Sequence, residues 1–176
     1  MAPGPIYPPA LLDGLEEHTV TNWDSEVYRQ VFEGTPSLRT NTYGARWNPP
    51  GVEALYACVV EEAATAEIDH LVSLQPIPIS RTRVTYRLRA QLTDVVDLSD
   101  KNDLLAVGEC IGLTEADLSA DDDASIVLCQ MVGGAASWLG RGGLLVPSAR
   151  HASTNVVIVL NSLGPDDLVE ELGSTP

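Results

Sequence analysis

The sequence is short of positive charge: ten Lys and Arg stand against 25 Asp and Glu, a formal net charge of −15 at pH 7. Phosphate polymers need a basic surface, so this balance argues against general nucleic-acid affinity, and any phosphate ligand must meet locally clustered arginines. Cysteine is scarce as well. Cys58, Cys110 and Cys129 are odd in number, widely spaced and each within an apolar run, which disfavours a disulfide framework or a zinc site and predicts reduced core thiols. No His, Cys or Asp cluster has metal-ligand spacing, so no metal is expected. The longest apolar stretches, 125–139 and 155–160, are too short, or too broken by Gly133 and Gly134, to span a bilayer. The N-terminus has neither a basic start nor an uninterrupted apolar stretch, so a secretory signal is not expected and the reading is cytoplasmic. Internal repeats and heptads are absent.

What is present suffices for one core, since 176 residues at 44% hydrophobic content bury a single domain well and two poorly. Residues 1–17 read as a proline-rich, loosely docked tail, with one or two helical turns over 11–17, and residues 18–176 as the domain proper. Alternation or short apolar runs predict strands over 26–32, 54–58, 82–90 and 155–160, with another running from Leu144 to Pro147. Helical spacing marks 60–74, 100–111 (capped near Ser99), 114–118, 122–139 with glycine interruptions, and a terminal helix over 166–172. Strands therefore flank a helical middle, which argues for an α+β domain and against regular βαβ alternation. The 82–90 strand sets Arg83, Thr85, Arg87 and Arg89 on one face, either paired to the acidic surface or open to a partner. Asp121 to Asp123 suit the dipole of a helix start. Gly140-Arg141-Gly142-Gly143 precedes a strand instead of opening a helix, so it is a glycine turn and not a phosphate cradle.

Three segments carry chemistry. Gly44-Ala45-Arg46-Trp47-Asn48-Pro49-Pro50-Gly51 strings a guanidinium fork, an indole and an amide on a loop that its prolines keep out of the helical region. It is either a binding loop or a proline turn plugged by a core tryptophan. Leu144-Leu145-Val146-Pro147-Ser148-Ala149-Arg150-His151 is a strand that ends in small and polar groups. Leu55-Tyr56-Ala57-Cys58 runs directly into the helix whose apolar stripe, Val60, Ala63, Ala64, Leu71 and Leu74, also takes in Glu67. A carboxylate on that stripe must be paired, hydrogen-bonded or protonated, for a structural or a functional reason.

These segments resemble the RES family, the NAD-consuming toxins of bacterial toxin–antitoxin pairs. The resemblance runs from about Tyr28 to about Leu160 and rests on Tyr28-Arg29, on the loop from Ala45 to Gly51 followed by Tyr56, on Ala66-Glu67, and on Leu145 to Arg150 followed by Asn155. Ala45 departs from it, standing where the family usually has a second glycine before the arginine. The resemblance implies an ADP-ribosyltransferase-like fold, in which a split pair of small sheets with flanking helices opens into an NAD cleft. It also implies that Arg29, Glu67 and Ser148 are the catalytic set.

NAD offers a pyrophosphate, two riboses, an adenine and a cationic nicotinamide. Arg29 and Arg46 suit the phosphates, because guanidinium forks bind phosphate oxygens in pairs. Trp47 and Tyr56 can pack on a planar ring, unless they are core, and Asn48 can donate and accept. Cleaving the nicotinamide–ribose bond leaves an oxocarbenium-like centre, which Glu67 would stabilise. Ser148 is a hydrogen-bond donor to ribose or phosphate and not a nucleophile, since no Gly-x-Ser-x-Gly elbow surrounds it. His151 and Asn155 are secondary ligands. The resulting reading is a toxin that degrades NAD by hydrolysis or phosphorolysis, with inorganic phosphate as the acceptor in the second case. It needs no metal and is restrained by a helix-turn-helix antitoxin encoded alongside. An ADP-ribosyltransferase acting on a macromolecule, or a non-catalytic protein-binding module, are the rivals.

Overall fold

Strand β3 (Arg83–Asp97) organises the computed structural model, which describes residues 6–176. One edge of β3 pairs antiparallel with β1 (Val20–Phe32) from Val20↔Val96 to Phe32↔Arg83. Its other edge is divided. Thr85 to Gln91 pair antiparallel with β6 (Leu168–Thr175), and Val95 to Asp97 pair parallel with β4 (Gly143–Pro147). Between the two pairings Asp94 adopts φ 53°, and the β1 register shifts opposite it between Thr21 and Trp23. A bulge of this kind bends and twists a strand, and here it turns β3 from one half of the sheet into the other.

The second half is β2 (Ala54–Cys58), β5 (Thr154–Val159) and β4, paired antiparallel in the order β2-β5-β4. β2 meets β1 only at Tyr28↔Cys58, so the two halves touch at that point and diverge beyond it. The α+β architecture and its split sheet follow from these pairings. This half is buried on both faces, which explains its near-continuous apolar runs. Val156, Ile158, Leu145 and Leu55 enter the cluster between the half-sheets with Val27, Leu88 and Leu92, while Val157, Val159, Leu144 and Val146 enter the cluster under the helices.

Helices α1 (Pro9–Glu17), α3 (Lys101–Gly108) and α4 (Asp123–Trp138) cover that outer face, and α2 (Glu61–Ser73) packs on β1 and β2. The N-terminal segment corrects the expectation of a loosely docked tail. Leu11 and Leu15 of α1 are fully buried in the core, and burying each contributes about 1.5–3 kcal/mol; Met1 to Pro5 of that expected tail lie outside the described residues. The 166–172 segment is also corrected, from helix to strand, because β6 satisfies the ladder edge that β3 would otherwise leave open. Helix α3 is capped by Asp100, which accepts from the Asn102 and Asp103 amides, while Ser99 instead donates to Asp97 Oδ1. Cys110 is exposed and only Cys58 and Cys129 are core thiols, because α3 gives way to a 3-10 turn at Glu109–Ile111. Among the described residues no helix is long and apolar enough to cross a membrane.

The glycine pair in α4 does not interrupt it. A β-carbon on Gly133 would collide with the Trp47 carbonyl oxygen, and one on Gly134 with the Tyr7 hydroxyl and Pro49. These two glycines let the tryptophan loop lie directly on the helix.

Candidate active site

Where β1 and β2 diverge, a cleft of about 370 Å³ opens, lined by Tyr28, Arg29, Tyr56, Glu67 and Asn155 among others. Helix α2 forms one wall. Its buried face carries Ala63, Ala64 and Ile68, and Glu67 follows Ala64 by three residues, so the helical repeat turns the carboxylate inward. Glu67 Oε1 accepts from Ser148 Oγ at 2.9 Å and from Asn155 Nδ2 at 2.8 Å. Both donors are neutral, and among the described residues no cation lies within ion-pair distance of Glu67. Its negative charge also acts on Cys58, whose thiol is pushed up to about 12, chiefly by burial.

Ser148 stands just past β4. The preceding proline ends the strand, the Ser148 amide donates to the Ser153 carbonyl at 2.9 Å, and Ser148 Oγ accepts from the Arg150 amide at 3.2 Å. The hydroxyl is thereby aimed at α2. Asn155 of β5 pairs with Cys58 of β2 on one side and Val146 of β4 on the other, which fixes its amide from the sheet side.

Arg29 projects from β1 into the same cleft and uses one of its five donors, in a 3.4 Å bond from Nη1 to the Tyr56 carbonyl. Its Nε has no partner, and no carboxylate among the described residues pairs with it. Burial, with Arg39 nearby, lowers the guanidinium pKa from its ordinary value. The cleft therefore holds an anion without a cation and a cation without an anion.

Arg46 is committed differently. Nη1 donates to the Asp117 carbonyl at 3.1 Å, and Nη2 to the Ala120 carbonyl at 2.8 Å and to Asp121 Oδ1 at 3.1 Å. Trp47 and Asn48 are 4% and 1% exposed and serve the loop's own architecture. The indole sits in the core. Asn48 donates to the Asn41 and Val52 carbonyls and accepts from the Tyr56 hydroxyl, which in turn accepts from the Trp47 amide. Burial raises the Tyr56 pKa, which keeps the phenol protonated as a donor. Tyr56 still lines the cleft. The Ala45 position is accommodated by backbone contacts, its carbonyl accepting from Gln130 Nε2 at 2.9 Å.

His151 is exposed on the β4–β5 loop and lines a recess with Ser99, Lys101 and Ser148 that includes neither Glu67 nor Arg29. The fold does not bring it to Glu67 and Arg29. Sequence reasoning missed three residues that the fold does bring to the cleft's neighbourhood, Asp121, Arg150 and His70. Asp121 Oδ1 binds Arg46 and Arg150, and its Oδ2 lies 2.9 Å from His70 Nε2. Arg150 lay in plain view beside Ser148, but within an acidic run Asp121 is indistinguishable from its neighbours. The arginines of β3 take the unremarkable alternative: Arg83, Arg87 and Arg89 pair with Asp69, Glu26 and Asp24 on the surface.

A family model described as RES domain matches residues 23–172. The NAD(+) phosphorylase MbcT of Mycobacterium tuberculosis is 28% identical over 147 residues, covering 79% of this chain and 75% of its own length, and MbcT of Mycobacterium bovis is equally similar. The crystal structure of the M. tuberculosis MbcT-MbcA toxin-antitoxin complex contains a chain that superposes with a TM-score of 0.78 at 22% identity, over 96% of this chain and 92% of that one.

Proposed function

This chain belongs to the RES domain family, and from that premise we propose that its cleft binds NAD and cleaves the nicotinamide–ribose bond, as the toxin of a toxin–antitoxin pair. The observation that carries the proposal is the pair of uncompensated charges. Glu67 is held by two neutral donors at 2.9 and 2.8 Å, and Arg29 stands in the same cleft without a counter-ion. A dinucleotide with an anionic pyrophosphate and a ribose that becomes cationic in the transition state satisfies both.

Arg29 takes the pyrophosphate with its free guanidinium edge. Glu67 lies beside the nicotinamide ribose, where its charge opposes the oxocarbenium centre as the C1′–N bond lengthens. Ser148 and Asn155 hold the carboxylate in place and are within reach of ribose hydroxyls. The Tyr56 ring forms a wall for the nicotinamide, and Trp47 and Asn48 keep the loop rigid beneath it. The bonding electrons go to the pyridinium nitrogen, so nicotinamide departs neutral and requires neither a general acid nor a metal. Water or inorganic phosphate then bonds to C1′. Relatives that carry the name NAD(+) phosphorylase favour phosphate.

An enzyme that consumes NAD inside a cell must be restrained, and the related MbcT-MbcA assembly favours an antitoxin as the restraint. We place it over the cleft framed by Arg46 and Ser148, with any operator binding left to a helix-turn-helix domain of the antitoxin, since a chain of net charge −15 repels DNA. Induced expression of this chain alone in a bacterial host tests the proposal. Growth arrest that a Glu67→Gln control abolishes supports it, and equal growth of both strains at equal soluble protein level rejects it.

A further inference from the structure

Two half-buried arginines and a histidine converge on one carboxylate beside the cleft. The side chains of Arg46, Arg150 and His70 are 15%, 16% and 27% exposed, and all three meet Asp121, itself 40% exposed. Both arginines are also anchored to main-chain carbonyls of the turn that leads into α4: Arg46 to Asp117 and Ala120, Arg150 to Ser119 at 3.0 Å. Removing the Asp121 carboxylate from between them would leave the guanidinium groups in place.

These four side chains line a recess of about 280 Å³ that also includes Glu67, Asn155 and Tyr56 but not Arg29. It therefore abuts the reacting end of the cleft and is separate from the cation assigned to the pyrophosphate. Two guanidinium forks and an imidazole arranged around one small anion form a receptor for a tetrahedral oxyanion, because each fork offers paired donors to adjacent oxygens. Elsewhere in this acidic chain Arg83, Arg87, Arg89 and Lys101 are spent on surface carboxylates. Here Arg46, Arg150 and His70 are gathered next to Glu67.

We infer that Arg46, Arg150 and His70 form the seat of the acceptor phosphate in phosphorolysis, and that Asp121 is an internal placeholder which inorganic phosphate displaces. The inference rests on the reading of the cleft as a site of NAD cleavage. A hydrogen phosphate dianion in that seat presents an oxygen beside Glu67. That oxygen bonds to C1′ as the C1′–N bond breaks, and the electron pair leaves with neutral nicotinamide. The phosphate keeps its proton, so the products are nicotinamide and ADP-ribose 1″-phosphate with charge conserved. Asp121 is solvent-facing and belongs to the turn before α4, so its carboxylate can rotate outward while the main-chain carbonyls retain the arginines. As a placeholder it opposes phosphate binding, and the apparent affinity for phosphate is reduced by the share of molecules in which it occupies the seat.

The test is two-substrate kinetics on the full chain, with NAD and inorganic phosphate varied independently, together with a phosphate titration followed by 31P NMR in the absence of NAD. Asp121→Asn is expected to lower KM for phosphate by about threefold or more and to tighten phosphate binding in the titration to match. Arg150→Ala is expected to raise KM for phosphate at least about tenfold more than it raises KM for NAD. Sulfate, which has the same shape but gives no stable product, is expected to compete with phosphate and not with NAD. If NAD is consumed but neither variant shifts the phosphate KM, or if Arg150→Ala acts equally on both substrates, the seat is wrong while the cleavage reading stands. If no protein consumes NAD, the cleavage reading fails, and phosphate binding no tighter to Asp121→Asn than to the parent overturns the seat as well.

Discussion

The Ser148 hydroxyl donates to Glu67 Oε1 at 2.9 Å, joining the end of β4 to the inner face of α2. Through this bond a strand terminus and a helix that are remote in sequence become one polar unit, with Asn155 of β5 as the second donor. The carboxylate is thus oriented before any ligand arrives, which is the condition for electrostatic catalysis at little reorganisation cost.

Replacing Glu67 by Gln keeps the Oε1 that accepts from both Ser148 and Asn155 and removes the charge. We expect turnover to fall by about two to three orders of magnitude, with an unfolding midpoint close to that of the parent, as for loss of one preorganised electrostatic group. Ser148→Ala leaves Asn155 in place and should reduce kcat by about tenfold, a loss of roughly 1.4 kcal/mol of orientation. Steady-state kinetics and urea denaturation of both variants check the two outcomes.

The tryptophan loop depends on helix α4. Gly133→Ala drives a methyl group into the Trp47 carbonyl oxygen, a backbone atom that cannot step aside. Overpacking of this kind costs about 1–3 kcal/mol and more when backbone must shift, so urea denaturation should show at least that loss. Activity should fall with it, since the loop carries Arg46.

Thiol reactivity should follow burial. Cys110 is exposed, whereas burial pushes Cys58 up to about 12 and raises Cys129 above its ordinary value. A raised thiol pKa leaves less thiolate at any given pH below it. Iodoacetamide at pH 8 should therefore label Cys110 in the native protein and reach Cys58 and Cys129 only on unfolding, as read by peptide mass spectrometry.

The candidate set was largely legible in the sequence because its members sit at places where local rules are broken: a glutamate on an apolar stripe, a serine after a strand-ending proline, an arginine on a proline loop. Other features depended on tertiary pairing. The 166–172 segment contains good helix formers, and only the open edge of β3 makes it a strand. Trp47 and Asn48 were legible as a motif, but their inward orientation is set by the α4 glycines and the Tyr56 hydroxyl, which are distant in the chain. Asp121 carries no local signal at all. It is picked out only by its contacts with Arg46, Arg150 and His70, each from a different segment.

Chelation should leave activity unchanged. The carboxylates nearest the reaction are already engaged, Glu67 by Ser148 and Asn155 and Asp121 by two arginines and a histidine, and the departure of neutral nicotinamide creates no charge for a metal to absorb. Equal rates before and after dialysis against EDTA are expected. A loss restored by a divalent ion would contradict the proposed chemistry.

Glu67 and its neighbours are proposed to cleave the nicotinamide–ribose bond. Incubating purified protein with NAD and inorganic phosphate, and identifying the products by liquid chromatography with mass spectrometry, tests it most directly. One nicotinamide is expected per NAD consumed, together with free ADP-ribose or its 1″-phosphate, and no release by the Glu67→Gln variant. Intact NAD after prolonged incubation with folded protein, or ADP-ribose recovered only as an adduct on a macromolecule, would contradict it.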